Sequence, residues 1–336
     1  MFTRIVSAAY LSACMLTPAL AQGANLPIVF VSSNPIGINE FLKMGAEGSK
    51  KAAEKLGVPA KIFESSDPTT MRQNLEAAAR AGATIIVVTG FEFDDILPEI
   101  APKYPKQKFL QVDSCPSAPP SNVYCAAFRE YETSFIAGAE AALTSEAGKV
   151  GVIGALDIPF IHRYTSAFVA GAKYVKPDIE VSAPVWIGGD NPFSDPARGQ
   201  MRATVVFSDG ADRVVTAAAA SNGGVFKATQ DFPGAAAFGV DVNECKTAPD
   251  AVMDNIEKRV DVAIEKRVDE IMKGTAEQRV ELGLADDGMT LTSLKDGVAA
   301  SGCLIAKYPD VIEKLRQIKA DIISGKVVVQ DPMAQN

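Results

Sequence analysis

From residue 27 to residue 241 the chain alternates short apolar runs with longer amphipathic stretches, and no other feature constrains its fold as tightly. Residues 27–32 (PIVFVS), 60–63, 84–89 (TIIVVT) and 108–113 (KFLQVD) are too short for stable helices and are rich in β-branched residues. Continuous apolar runs of this kind mark strands buried on both faces. Between them, a helix is expected from Asn39 as N-cap to Lys55, with Phe41, Met44, Ala52 and Leu56 along one face and Gly57 as its stop. Helices are also expected over 69–81, ahead of Gly82, and over 94–103.

The rhythm then repeats. Helices over 132–145, 163–174, 196–207 and 224–230 interleave with strands over 149–153, 181–187, 213–217 and 236–241. Strand–helix alternation predicts parallel, doubly wound sheets, and two such halves (27–113 and 149–241) predict an α/β fold of two lobes with a cleft between them. The length agrees, because 336 residues exceeds the roughly 250–300 at which a single core stops growing. Open parallel sheets hold ligands beyond the carboxyl ends of their strands. Here those ends carry residues 32–34 (Ser-Ser-Asn), 89–91 (Thr-Gly-Phe), Asp113, 154–157 (Gly-Ala-Leu-Asp), 218–223 and Asp241.

Ahead of the first strand, residues 1–21 read as a secretory signal: Arg4, a nearly unbroken apolar stretch, then Ala19-Leu20-Ala21. Cleavage after Ala21 leaves a free periplasmic chain. The alternative uses Leu11-Ser12-Ala13-Cys14 as a lipobox, anchoring the protein by a lipid on Cys14. Either route ends outside the cytoplasm, where Cys115, Cys125, Cys245 and Cys303 are disulfide candidates. The short Pro/Ser loop favours Cys115–Cys125, which leaves Cys245–Cys303; four free buried thiols are the other reading.

Composition removes whole classes of function. The net charge of −8 becomes −9 without Arg4, and no basic block offers itself to nucleic acid or anionic lipid. One histidine, His162, rules out a histidine-rich metal site and reads as a surface or capping residue. No phosphate-binding loop, metalloprotease helix or nucleophile elbow occurs, and Gly148, Gly151 and Gly154 lie along a strand rather than in a dinucleotide turn. Asp113, Asp157 and Asp241 have the chemistry of a carboxylate pair or hard-cation site, or of acceptors for ligand hydroxyls. The run Glu257-Lys258-Arg259 with Glu265-Lys266-Arg267 reads most simply as a solvated helix face.

Five stretches, in order, resemble one family. They are Gly90-Phe91 with Pro105, Phe109 and Asp113; Phe128-Arg129-Glu130 with Phe135-Ile136-Ala137-Gly138; Val150-Gly151 with Asp157-Ile158-Pro159 and Gly171; Phe193 with Asp195-Pro196 and Gly199; and Gly239-Val240-Asp241 with Lys258-Arg259-Val260-Asp261. This pattern, over about 27–290, is similar to the basic membrane protein (purine nucleoside receptor A-like) family of substrate-binding components of ATP-binding-cassette importers. The resemblance implies a type I periplasmic-binding-protein fold with three crossovers between lobes. Lobe 1 is then expected over 25–126 plus 255–278, and lobe 2 over 127–254 plus 279–336.

It also implies a site. Phe41 and Phe193 match rings that sandwich a base; Asp241 matches an aspartate that bonds ribose hydroxyls; Asp113 ends the fourth strand; and Lys258 matches a lysine facing the cleft. Asn34, at the first strand end, completes the expected set. The chain departs from the family pattern over residues 32–42 and 219–223, which leaves the solute open: a nucleoside, a base, a flavin-like ring or another aromatic polar solute. The expected function is a monomeric periplasmic binding protein, not an enzyme, that needs no cofactor and delivers its solute to a membrane permease. The alternatives are a ligand sensor for a membrane receptor and an extracytoplasmic enzyme using Asp113 and Asp241 as acid and base.

Overall fold

The computed structural model describes residues 26–335. The expected signal segment and Cys14 lie outside the described residues. In chain order the first half contains β1 (Ile28–Val31), α1 (Glu40–Leu56), β2 (Ala60–Phe63), α2 (Pro68–Ala81), β3 (Ile85–Thr89), α3 (Ile96–Ile100), β4 (Phe109–Asp113) and β5 (Val123–Phe128). There follow α4 (Glu130–Thr144), β6 (Lys149–Gly154), α5 (Pro159–Val175), β7 (Glu180–Val181), β8 (Val185–Trp186), α6 (Pro196–Ser208), β9 (Arg213–Ala217), α7 (Asn222–Ala228), β10 (Ala236–Asp241) and β11 (Val252–Lys258). The chain ends with α8 (Val260–Lys273), β12 (Arg279–Leu282), β13 (Met289–Leu291) and α9 (Pro309–Ile323).

The punctuation read from the sequence acts as expected at α1: the Asn39 side chain accepts from the Leu42 amide at 3.3 Å, and Gly57 ends the helix at φ 67°.

Two sheets organise the molecule. The first runs β12-β5-β4-β3-β1-β2 and is parallel throughout. The second runs β13-β11-β10-β9-β6-β7, with β8 also on β6, and is parallel except for β13. Counted from β2 and from β7, both sheets place their strands in the same sequence-related order, so each lobe repeats one doubly wound unit.

Strand membership moves the expected lobe boundaries. Residues 255–258, expected in lobe 1, complete β11 in the second sheet, and residues 279–282, expected in lobe 2, form the edge strand β12 of the first. Residues 127–128, expected in lobe 2, likewise finish β5. The crossovers therefore fall at Arg129, at Arg259 and between Leu282 and Gly288. Arg129 and Arg259 share nearly the same backbone angles (φ −98°, ψ 63° and φ −93°, ψ 65°). The Arg129 amide donates to the Leu282 carbonyl and the Arg259 amide to the Gly288 carbonyl, so the three crossing segments are tied into one band.

The polar run at 257–267 is only partly a solvated face, with Arg259 and Lys266 exposed. Glu257 and Lys258 are buried in β11, and Arg267 is buried on α8. Beside it, α4 and α5 pack with almost no gap. A methyl group on Gly138 would sit 1.8 Å from the Phe168 carbonyl, and one on Gly171 would sit 1.8 Å from the Phe135 carbonyl. Both disulfides form, Cys115–Cys125 in the first lobe and Cys245–Cys303 in the second.

Candidate ligand cleft between the lobes

Strand ends of both sheets converge on a cleft. All six residues singled out in the sequence line it: Asn34 after β1, Phe41 on α1, Asp113 ending β4, Phe193 before α6, Asp241 ending β10 and Lys258 ending β11. Phe193 is held by its loop, because the Ser221 hydroxyl donates to the Pro192 carbonyl at 2.8 Å while accepting from the Asp195 amide at 2.8 Å.

Asp113 and Asp241 occupy equivalent strand ends in the two sheets, and both have positive φ, 89° and 71°. Side chains rarely adopt that conformation, and such strain gathers at functional positions. Here it turns both carboxylates toward one ammonium. Lys258 Nζ donates to Asp113 Oδ1 and to the Tyr164 hydroxyl (2.8 Å), and it lies 3.6 Å from Glu130 and 3.7 Å from Asp241. Ring faces complete the enclosure, with Phe41 at 5.3 Å and Phe160 at 5.7 Å from Nζ to the centroid.

Burial by itself would pull the Lys258 ammonium down, but Asp113, Tyr164, Asp241 and Glu130 together hold it well above the usual lysine range. One positive charge shared among three carboxyls does not satisfy them all. Burial therefore dominates at Asp241, pushed up to about 6, and at Glu130, pushed up to about 7. Glu130 also accepts from Arg163 at 3.2 Å, and Arg163 in turn forks onto Asp331 near the end of the described chain.

Sequence reasoning missed several members of the site. Glu130 stands in the Phe128-Arg129-Glu130 stretch but was given no role there, and Tyr164 and Phe160 sit in the first two turns of α5, where a lone aromatic residue carries no motif signal. Phe91 and Glu92 follow β3, and the Phe91 ring meets Phe160 at 5.4 Å and Phe193 at 6.1 Å between centroids. Phe91 belongs to the first lobe and its two partners to the second, so aromatic contact bridges the cleft. Ala219, within one of the stretches that departs from the family pattern, lines the cleft at φ 46°, a conformation suited to glycine.

Other expectations fall elsewhere. Asp157 and His162 pair at 2.8 Å on a surface of the second lobe, where the His162 ring lies 5.6 Å from Trp186. Asp157 is therefore not part of the Asp113–Asp241 cluster.

Residues 27–329 match the family described as ABC transporter substrate-binding protein PnrA-like. The chain belongs to that family. It is 28% identical over 313 residues to the ABC transporter nucleoside-binding protein BmpA of Lactococcus lactis, covering 90% of this chain and 88% of the relative. Among solved structures, the solute-binding protein of an ABC transporter system from Aeropyrum pernix aligns at TM-score 0.79 and 25% identity, over 91% of this chain and 94% of that one. The Caulobacter myo-inositol binding protein aligns at TM-score 0.65 and 15% identity, over 85% and 98%, and shares the fold. The fold is thus that of type I periplasmic solute-binding proteins, and family and fold together point to a binding protein rather than an enzyme. Substrate-binding proteins of such importers work outside the cytoplasmic membrane, and among the described residues no helix is long and apolar enough to cross one.

Proposed function

We propose that this protein captures a small aromatic, nucleoside-like solute in the interlobe cleft and delivers it to the permease of an ATP-binding-cassette importer. The observation that carries the reading is the pairing of ring faces with a polar cluster. Phe41 and Phe193 offer stacking surfaces, and Asp113, Asp241 and Lys258 stand beside them at the strand ends. Asp241 is the acceptor for a pair of sugar hydroxyls. The nucleoside-binding relative in Lactococcus lactis supports the same class of solute. Residues 1–21 direct export by this reading, giving a free periplasmic protein, with a lipid on Cys14 as the alternative. Closure about Arg129, Arg259 and the segment 282–288 buries the solute, and the closed form is what the permease receives.

Mass spectrometry of small molecules released from the purified, denatured protein tests this reading, paired with melting curves in guanosine, inosine and adenosine. An aromatic heterocycle in the released fraction, or a raised melting temperature with a nucleoside, is expected. Neither a bound heterocycle nor a shift with any nucleoside would overturn it.

A further inference from the structure

The first lobe's side of the cleft carries an acceptor that the cluster around Lys258 leaves unused. Glu92 lines the cleft two residues beyond Gly90, and Gly90 sits at φ 99°. A methyl group on Gly90 would meet Glu92 Oε2 at 2.3 Å, so only glycine there lets the carboxyl fold back against the strand end. Unlike Asp113 and Asp241, Glu92 has no cation within 4 Å among the described residues. The charges facing it are those of Asp113 and Asp94, both of its own sign, while its own backbone amide and the Ser33 side chain hydrogen-bond it. Burial first, and Asp113 second among the charges, push this carboxyl up to about 7.

A half-buried carboxyl with no cation beside it still has lone pairs to offer a ligand's donors. Glu92, at the end of β3, lines the same cleft as Phe41 and Phe193. A carboxylate binds best to two parallel N–H groups, as a guanidinium fork shows.

Resting on the reading of the cleft as a nucleoside site, we propose that Glu92 is its specificity-determining residue. It accepts a paired amino and imino N–H edge, so the cleft selects a guanine-type ring over rings with one donor on that edge. Anionic solutes are disfavoured by the same carboxyl.

Titration calorimetry with guanosine, inosine and adenosine tests the proposal. Guanosine presents two adjacent donors, inosine one, and adenosine one beside an acceptor. The wild-type protein is expected to bind guanosine about tenfold or more tightly than inosine. In Glu92→Gln, which keeps the shape but turns one acceptor into a donor, that ratio should fall to about one. In Glu92→Asp the preference should keep its direction at reduced affinity, and unliganded melting curves check that both variants fold. A guanosine-to-inosine ratio near one in the wild type, or a ratio unchanged in Glu92→Gln, overturns the role of Glu92 while leaving the nucleoside site standing. Failure of all three nucleosides to bind overturns both.

Discussion

Lys258 holds the cleft together electrostatically, since its ammonium is the charge on which Asp113, Asp241 and Glu130 all depend. Replacing it by the similarly shaped methionine leaves three buried carboxyls without their shared partner. Lys258→Met is expected to lower stability by about 3–5 kcal/mol, the range for breaking a buried pair from one side, as read from urea unfolding. An unchanged midpoint would mean that the carboxyls are protonated or hydrated in the folded protein. Asp241→Ala leaves the pair Lys258–Asp113 in place, and should weaken a sugar-bearing solute by about 1–3 kcal/mol in calorimetry. Little change would place the sugar elsewhere. At this scale the sequence was most legible where a strand end coincided with a family motif, as at Asp113, Asp241 and Lys258. The roles of Glu130, although it stands in a motif stretch, and of Arg163 were illegible because they lie in what faces them across the fold, from α4, α5 and the tail near Asp331.

Among the elements, two strands of the second sheet were read to the residue. β9 and β10 coincide with the expected 213–217 and 236–241. β5 and β11 were missed for opposite reasons. β5 (VYCAAF) follows the Pro/Ser loop after Cys115 with no helix between it and β4, so it breaks the strand–helix rhythm, whereas β11 (VMDNIEK) carries four polar side chains that are nonetheless all buried. Such a strand looks like surface until its partners are known. The expected single strand over 181–187 divides into the short β7 and β8, which pair with different parts of β6. Helix contact is more exacting still. Since Gly138 and Gly171 each face a carbonyl of the other helix, Gly138→Ala should push α4 and α5 apart. A loss of about 1–3 kcal/mol or more is expected in thermal or urea unfolding, the range for overpacking a tight core. A neutral result would show that the two helices slide without cost.

For the whole molecule, the buried carboxyls set the pH response. Burial raises Glu92 and Glu130 to about 7, Asp94, Asp241 and Asp254 to about 6, and Glu244 to about 8. In the unfolded chain the same groups ionise near pH 4. Between these values the folded state holds more protons than the unfolded one, so stability is greatest near or below pH 4 on their account and declines as pH rises toward 8. Carboxyls lowered by surface partners, such as Asp67 and Asp321, act in the opposite sense but only below that window. Calorimetry of the unliganded protein should therefore give a higher melting temperature at pH 5 than at pH 8. A rising or flat profile would mean that these groups ionise freely in the folded cleft. None of this was visible in the net charge of −8, which counts carboxyls without saying which are inside.

The single tryptophan gives the molecule an optical property of its own. The Trp186 ring packs against the Gly154 strand end, whose position it shares with Ile161, and Ile161 lines the cleft while Trp186 does not. Tryptophan emission from this chain is therefore a one-site signal, set one layer behind the cleft and confined to the second lobe. A change in emission colour on adding a solute would report a change in the packing of that lobe behind the cleft.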